Sequence, residues 1–263
     1  MKDLAARRRH PLATVVVTLL GLLVVGGAYS ALSPSTAQAA TTASTADITA
    51  GRALFLTNCS TCHGLQAQGT EDAPTLIGVG AASVDFQVGT GRMPLQANAP
   101  QAPIHPPLFT RTETSQLAAY VASLAPGPAI PSSQLTTVTN DADRISKGNE
   151  LFRTNCAMCH NVVGAGGALT RGKYAPTLKG EEPRYVFEAM LTGPQNMPVF
   201  NDANISPEEK QDIASYLHYV SNDASPGGLS LGDIGPVSEG LFAWAAGLVA
   251  LVACAVWLGT RAS

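Results

Sequence analysis

The sequence predicts an all-α protein, with two small helical domains in tandem, an apolar segment ahead of them and one membrane-crossing helix behind. Three observations predict it. The pattern C-x-x-C-H occurs twice, as Cys59-Ser60-Thr61-Cys62-His63 and as Cys156-Ala157-Met158-Cys159-His160. Around each copy the same landmarks recur in the same order, with apolar residues at helical spacing. An uncharged apolar run lies towards each end of the chain.

C-x-x-C-H is the attachment sequence for a c-type haem. Two cysteines three residues apart lie on nearly one face of a helical turn. From there both sulfurs reach the two vinyl groups of one porphyrin, and the adjacent histidine reaches the iron. A thioredoxin-like pair belongs near a βαβ pattern, which this sequence lacks. A single zinc site built from both pairs would leave unexplained why each pair carries its own histidine. The expected cofactors are two covalent haem c groups. Cys59 and Cys62 hold one and Cys156 and Cys159 the other, with His63 and His160 as axial ligands.

With 263 residues the chain has room for two ordinary domains. The net charge is only -3 and no basic stripe stands out, which argues against nucleic acid as a partner. The motifs consume four of the five cysteines, so no structural disulfide is needed. Cys254, inside the C-terminal apolar run, reads as a small buried thiol, with a reactive thiol as the alternative.

Residues 1–46 form a signal or anchor plus tether. Arg7-Arg8-Arg9-His10 precede an uncharged stretch from Leu12 to Leu32, which keeps the N-terminus in the cytoplasm. Ala37-Gln38-Ala39 resembles a signal-peptidase site, so the segment reads as a cleaved export signal. Its length instead favours a retained anchor. Both readings export the domains behind it. Residues 33–46, mostly Ser, Thr and Ala, form a flexible tether.

The first domain spans 47–125. Asp47 or Thr49 can cap a helix that runs through Gly51, Leu54 and Phe55 into the first motif. Ala73-Pro74-Thr75-Leu76 follow in a loop, then Gly89-Thr90-Gly91-Arg92-Met93-Pro94. Leu117, Tyr120, Val121 and Leu124 at i, i+3, i+4 and i+7 give a last helix one apolar face. Thr110 and Glu113 have capping-box spacing at its start.

The second domain, 144–223, repeats this order. Gly148, Leu151 and Phe152 precede the second motif, and Thr154-Asn155-Cys156 matches Thr57-Asn58-Cys59. Ala175-Pro176-Thr177-Leu178 matches Ala73 to Leu76, and Asn196-Met197-Pro198 matches Arg92-Met93-Pro94. Ile213, Tyr216, Leu217 and Val220 form the last helical face, behind Ser206, Pro207 and Glu209 as N-cap, N1 proline and capping-box acid. This is an internal duplication. Residues 126–143, rich in Pro, Ser and Thr, form a linker of limited flexibility, and Ser225-Pro226-Gly227-Gly228 opens another across 224–239. Residues 240–260 carry no charge, with Trp244 and Trp257 towards the two ends: a transmembrane helix. Arg261 behind it places the C-terminus in the cytoplasm.

Each iron needs a sixth ligand, and methionine is common in electron-transfer haems, where it raises the potential. Met93 is the only methionine of the first domain, and Pro94 extends the chain there so that it can drape over a haem face. Met197-Pro198 is the matching pair. Met190, in the helix-like setting of Tyr185 and Val186, suits packing, and Met158 inside its motif cannot reach the distal face. His105 is an alternative ligand for the first haem, and His218 reads as a surface residue or a neighbour of a haem carboxylate. With both irons saturated no substrate-transforming site is expected and no catalytic residue is assigned. The chemistry is one-electron transfer.

The order Gly-x-x-Leu-Phe, C-x-x-C-H, Met-Pro, helix resembles class I cytochromes c, in which the first and last helices cross. Gly51 and Phe55 against Tyr120, and Gly148 and Phe152 against Tyr216, match that crossing. The whole chain resembles the dihaem cytochrome c subunit of the actinobacterial-type cytochrome bc complex, a quinol–cytochrome c reductase. Gly78–Ala82, Val84–Pro94 and His105-Pro106-Pro107-Leu108-Phe109 carry much of this likeness. The resemblance implies partners and a route. Electrons pass from the Rieske iron–sulfur subunit, beside cytochrome b, to the first haem (His63, Met93) and then to the second (His160, Met197). From there they go to a haem–copper cytochrome c oxidase. It also implies a place in the plasma membrane with the haem domains outside. The alternatives are the dihaem subunit of another oxidase or of a dehydrogenase, and a dihaem peroxidase, which would need an iron able to open a site.

Overall fold

A computed structural model describes residues 11–32, 43–97, 99–161, 163–222 and 236–261. It bears out the all-α class: helices dominate, and the strands among the described residues are the two-residue β1 (Gly167–Ala168) and β2 (Tyr174–Ala175), paired antiparallel. Two compact units divide between Thr41 and Thr42, and α1 (Pro11–Leu32) is the one described element of the first. The arginines at 7–9, the sequence Ala37-Gln38-Ala39 and the glycines at 227 and 228 lie outside the described residues.

The second unit holds two lobes built alike. The first contains α2 (Thr45–Asn58), α3 (Ser60–His63), α4 (Gly80–Gly89) and α5 (Arg111–Leu124). The linker contributes a short α6 (Ser133–Thr136). The second lobe contains α7 (Ala142–Asn155), α8 (Ala157–His160), α9 (Pro183–Thr192) and α10 (Pro207–Asn222). Helix α2 begins earlier than expected. Its cap is Ser44 rather than Asp47 or Thr49, with the Asp47 N–H donating to Ser44 Oγ at 3.1 Å. Ser44, just ahead of the helix, supplies the acceptor that the first turn lacks, and its hydroxyl donates in turn to Asp47 Oδ2 at 2.6 Å. The expected boxes form at α5, where Glu113 N–H donates to Thr110 Oγ1 and Thr110 N–H to Glu113, and at α10 between Ser206 and Glu209.

In each lobe the first helix crosses the last at a glycine. A methyl group built on Gly51 would overlap the carbonyl oxygen of Gln116 on α5, and one on Gly148 would overlap that of Asp212 on α10. Only a residue without Cβ lets these backbones meet. Beside each crossing an aromatic pair packs: Phe55 and Tyr120 with centroids 5.2 Å apart, Phe152 and Tyr216 with centroids 5.6 Å apart. The apolar faces read from the sequence are the ones buried. Leu117, Tyr120 and Val121 join Phe55 in one core, and Ile213, Tyr216 and Leu217 join Phe152 in the other. Burying a phenylalanine fully is worth about 1.5–3 kcal/mol, and a tilted aromatic pair adds about 0.5–1.5.

Helix α4 was not anticipated. Its sequence, GAASVDFQVG, is small and apolar almost throughout and shows no clean helical stripe. The structure buries it on several sides, against α5 of its own lobe and against α9 of the other, which removes the polar face that periodicity needs. The linker is also more firmly held than its composition suggests. Ala82 N–H donates to the Pro128 carbonyl, while Gln211 donates to the carbonyls of Gln134 and Thr137, and Thr139 N–H to Ser215 Oγ. Helix α11 (Pro236–Arg261) includes the expected membrane segment, and its large apolar side chains from Leu241 to Leu258 are exposed. Cys254 lies among them and is exposed, not buried in a protein core as expected, because the apolar run around it faces outward.

Two candidate haem clefts

Each motif is placed by one local device. The first helix ends at the first cysteine, Cys59 or Cys156, whose N–H still bonds back to Phe55 or Phe152. The chain then winds one more turn, α3 or α8, with His63 N–H on the Cys59 carbonyl at 3.0 Å and His160 N–H on the Cys156 carbonyl at 2.9 Å. That turn brings both cysteines and the histidine to the mouth of the lobe. Within each lobe the remaining helices close a cleft over it.

The two histidines are oriented alike. His63 Nδ1 lies 2.8 Å from the carbonyl oxygen of Pro74, and His160 Nδ1 lies 3.0 Å from that of Pro176. A carbonyl only accepts, so Nδ1 carries the proton and donates, and Nε2 keeps its lone pair for a metal. Burial lowers the pKa of His160, outweighing the opposing pull of the Pro176 carbonyl, and so favours the neutral ligand form. The repeated Ala-Pro-Thr-Leu loops therefore hold the imidazoles of the repeated motifs in place. Their duplication is visible in the sequence, but their role is not.

Cys59 and Cys156 are poorly suited to thiol chemistry on their own. Burial, then the charge of the neighbouring cysteine, pushes Cys59 up to about 11 and Cys156 up to about 12. A redox-active pair needs the opposite shift.

The first cleft is lined by Cys59, His63, Pro74 and Met93, with Val88 and Leu117 among its apolar walls. The second is lined by Cys156, Cys159, His160 and Met197, with Phe152 and Leu217. The two enclose roughly 1010 and 1230 Å³ of atom-free space, open mouths included. Met93, in a cis Met93–Pro94 bond, and Met197 thus share a cleft with their histidines. Met190 is buried in the second core and also edges that cleft. Met158 is almost fully exposed. His105 lines neither cleft, and His218 is exposed, with Asn222 as its neighbour. The residues fit a haem. Each cleft offers an oriented imidazole, a thioether and apolar walls, with both motif sulfurs lining the second and Cys59 lining the first.

The structure adds what the sequence did not reveal. The clefts are not separate. Thr192 to Gln195 of the second lobe line the first cleft, and Pro194 and Gln195 line both. In return Phe86, Arg92 and Gln101 of the first lobe line the second cleft. Arg92 is 7% exposed, its guanidinium 4.6 Å from the Phe86 ring centroid. Burial lowers its pKa, opposed by the charges of Glu181 and Tyr174, and burial raises that of Glu181. The lobes are pinned by an ion pair between Arg184 on α9 and Asp85 on α4, by Arg111–Glu182 at 3.2 Å, and by Tyr185, which packs edge-on against Phe86. Arg92 stood beside a recognised methionine, but nothing in its local sequence says which lobe it faces.

Comparison with known proteins gives the same two-part picture. The family described as cytochrome c matches residues 48–125, and that described as cytochrome c oxidase, cbb3-type, subunit III matches residues 143–217. Over 96% of its length the chain is 43% identical to a cytochrome bc1 complex cytochrome c subunit of Corynebacterium efficiens, 90% of which is covered. It is 42% identical, over 97% of its length, to the protein of the same description from Mycobacterium tuberculosis, 93% of which is covered. A cbb3-type oxidase subunit of Azospirillum is more distant, 28% identical over 64% of this chain and 60% of the relative.

Proposed function

Because the chain belongs to the family of cytochrome bc1 complex cytochrome c subunits, we propose that it is the dihaem electron carrier between the Rieske iron–sulfur subunit and a haem–copper cytochrome c oxidase. The observation that carries this reading is the pair of clefts with a shared wall at Pro194 and Gln195. Haem c, when bound, supplies reversible one-electron exchange at its iron. The chain's own residues do the rest. Cys59 and Cys62 in domain 47–125, and Cys156 and Cys159 in domain 144–223, hold the two groups covalently. His63 and His160 bind iron through Nε2, oriented by Pro74 and Pro176. Met93 and Met197, which line the same clefts, would supply the thioether ligands, and a thioether ligand would raise each potential. Pro194 and Gln195 exclude bulk water from the space between the clefts and fix their separation.

Helix α11 anchors the chain in the plasma membrane. Arg261 marks its cytoplasmic end, and both lobes stand on the outer side, next to cytochrome b and the Rieske subunit. The test is capture of the tagged full-length chain from its own membrane in mild detergent. We expect two c-type haems per chain, b-type and a-type bands beside them, and oxygen uptake driven by quinol. A c band alone, without quinol-driven uptake, overturns the assignment of partners.

A further inference from the structure

Arg92 is the one lysine or arginine that lines the second cleft among the described residues, and it belongs to the first lobe. Its side chain is more than nine-tenths buried, and its Nη1 is enclosed without any hydrogen-bond partner. Phe86 covers the guanidinium on one side. A buried donor on a cation left unpaired is costly, so this position calls for an anion. Glu181 lines the same cleft, yet it leaves Nη1 unmet.

Gln101, also of the first lobe, is set beside it. Its Oε1 accepts the Tyr174 N–H at 3.0 Å, which leaves its amide NH₂ as a donor at the cleft. Asn155, the amide at the base of the second motif, gives one N–H to the Leu151 carbonyl of its own helix. Arg92 and Gln101 thus bring donors to this cleft from the other lobe.

A haem is apolar over most of its surface and carries two propionate carboxylates. A guanidinium presents a planar fork of donors that matches a carboxylate. We propose that Arg92 binds a propionate of the haem held by the second lobe, with Gln101 as its auxiliary donor. The proposal rests on the reading that the second cleft carries haem c. It makes neighbouring residues serve different haems, Met93 the first and Arg92 the second. Assembly of the second haem then also fastens the first lobe onto it.

The test is Arg92→Gln in the full-length holoprotein, with haem content measured first and the two midpoint potentials then resolved by electron paramagnetic resonance. Removing a cation beside a propionate favours ferric iron. The second haem should become harder to reduce by about tenfold in its equilibrium constant, about 59 mV for one electron. The first should move less, although Arg92 adjoins its proposed ligand. Redox-difference infrared spectra of protein carrying haem labelled with carbon-13 at the propionate carboxyls should show the labelled bands shifted. Arg92→Lys keeps the charge but loses the fork. It should hold the potential near the native one while still moving those bands, and it serves if Arg92→Gln fails to assemble. Labelled bands unmoved in either variant, or an unchanged second potential in Arg92→Gln, overturn the assignment of Arg92 alone. One haem per chain in the native protein overturns it together with the dihaem reading.

Discussion

Arg184 on α9 forms an ion pair with Asp85 on α4, and the same guanidinium bonds Glu188 at 3.2 Å through Nε. Both carboxyls are buried, so one cation faces two acids. Burial, then the charge of Asp85, pushes Glu188 up to about 9, with Arg184 pulling the other way. Glu188 therefore carries a proton at neutral pH.

This proton has a sign. Unfolded, Glu188 ionises near its ordinary value of 4.5, and folded it does so near 9. Between these limits the native state binds the extra proton, so the group's contribution to stability falls as pH rises from about 4.5 to about 9. Glu188→Gln keeps the shape and removes the titration. Denaturant unfolding at several pH values should show the variant gaining on the native protein as pH rises. Parallel curves across that window would sink the assignment of the proton.

Arg184→Met should be much more damaging. It leaves Asp85 buried without its cation at the junction between the lobes. Breaking a buried pair from one side costs about 3–5 kcal/mol. Adding Asp85→Asn should restore part of the loss, and chemical unfolding of the single and double variants measures it.

The helix crossings set a second limit. Gly51→Ala and Gly148→Ala must push apart backbones that already touch at Gln116 and Asp212. Overpacking of this kind costs about 1–3 kcal/mol. Each variant should lower the unfolding temperature of its own lobe and reduce haem attachment there, read by mass spectrometry of the fragment that carries that motif.

Met197→Leu should leave two haems attached, since the thioethers do not involve it. The second haem should lose its methionine signature in the ferric spectrum. With its potential lowered by about 59 mV or more, quinol-driven oxygen uptake should drop about tenfold. Uptake at the native rate would remove Met197 from the proposed ligand set.

Cys59→Ala/Cys62→Ala removes the covalent hold in the first lobe. Its core then relies on a few side chains around Phe55, Leu117 and Val121, against a large apolar cleft. Far-UV circular dichroism should show the helix content of that lobe largely lost, and a native spectrum would count against this.

The sequence alone determined the all-α class, the duplication, both motifs, the C-terminal membrane helix and the candidate ligands His63, Met93, His160 and Met197. These are local matters. Three-residue spacing, capping boxes and i, i+3, i+4 faces act within one or two helical turns, and a duplicated context reveals a role without coordinates. Tertiary structure decided the rest. Helix α4 is packed against both α5 and α9, so it carries no stripe to read. Pro74 and Pro176 orient their histidines across a loop. Arg92, Gln101, Pro194 and Gln195 act across the boundary between lobes, and Asp85, Arg184 and Glu188 meet there. Which side chain faces which lobe depends on how two folded surfaces dock, a matter of shape and desolvated charge that no single stretch of chain contains.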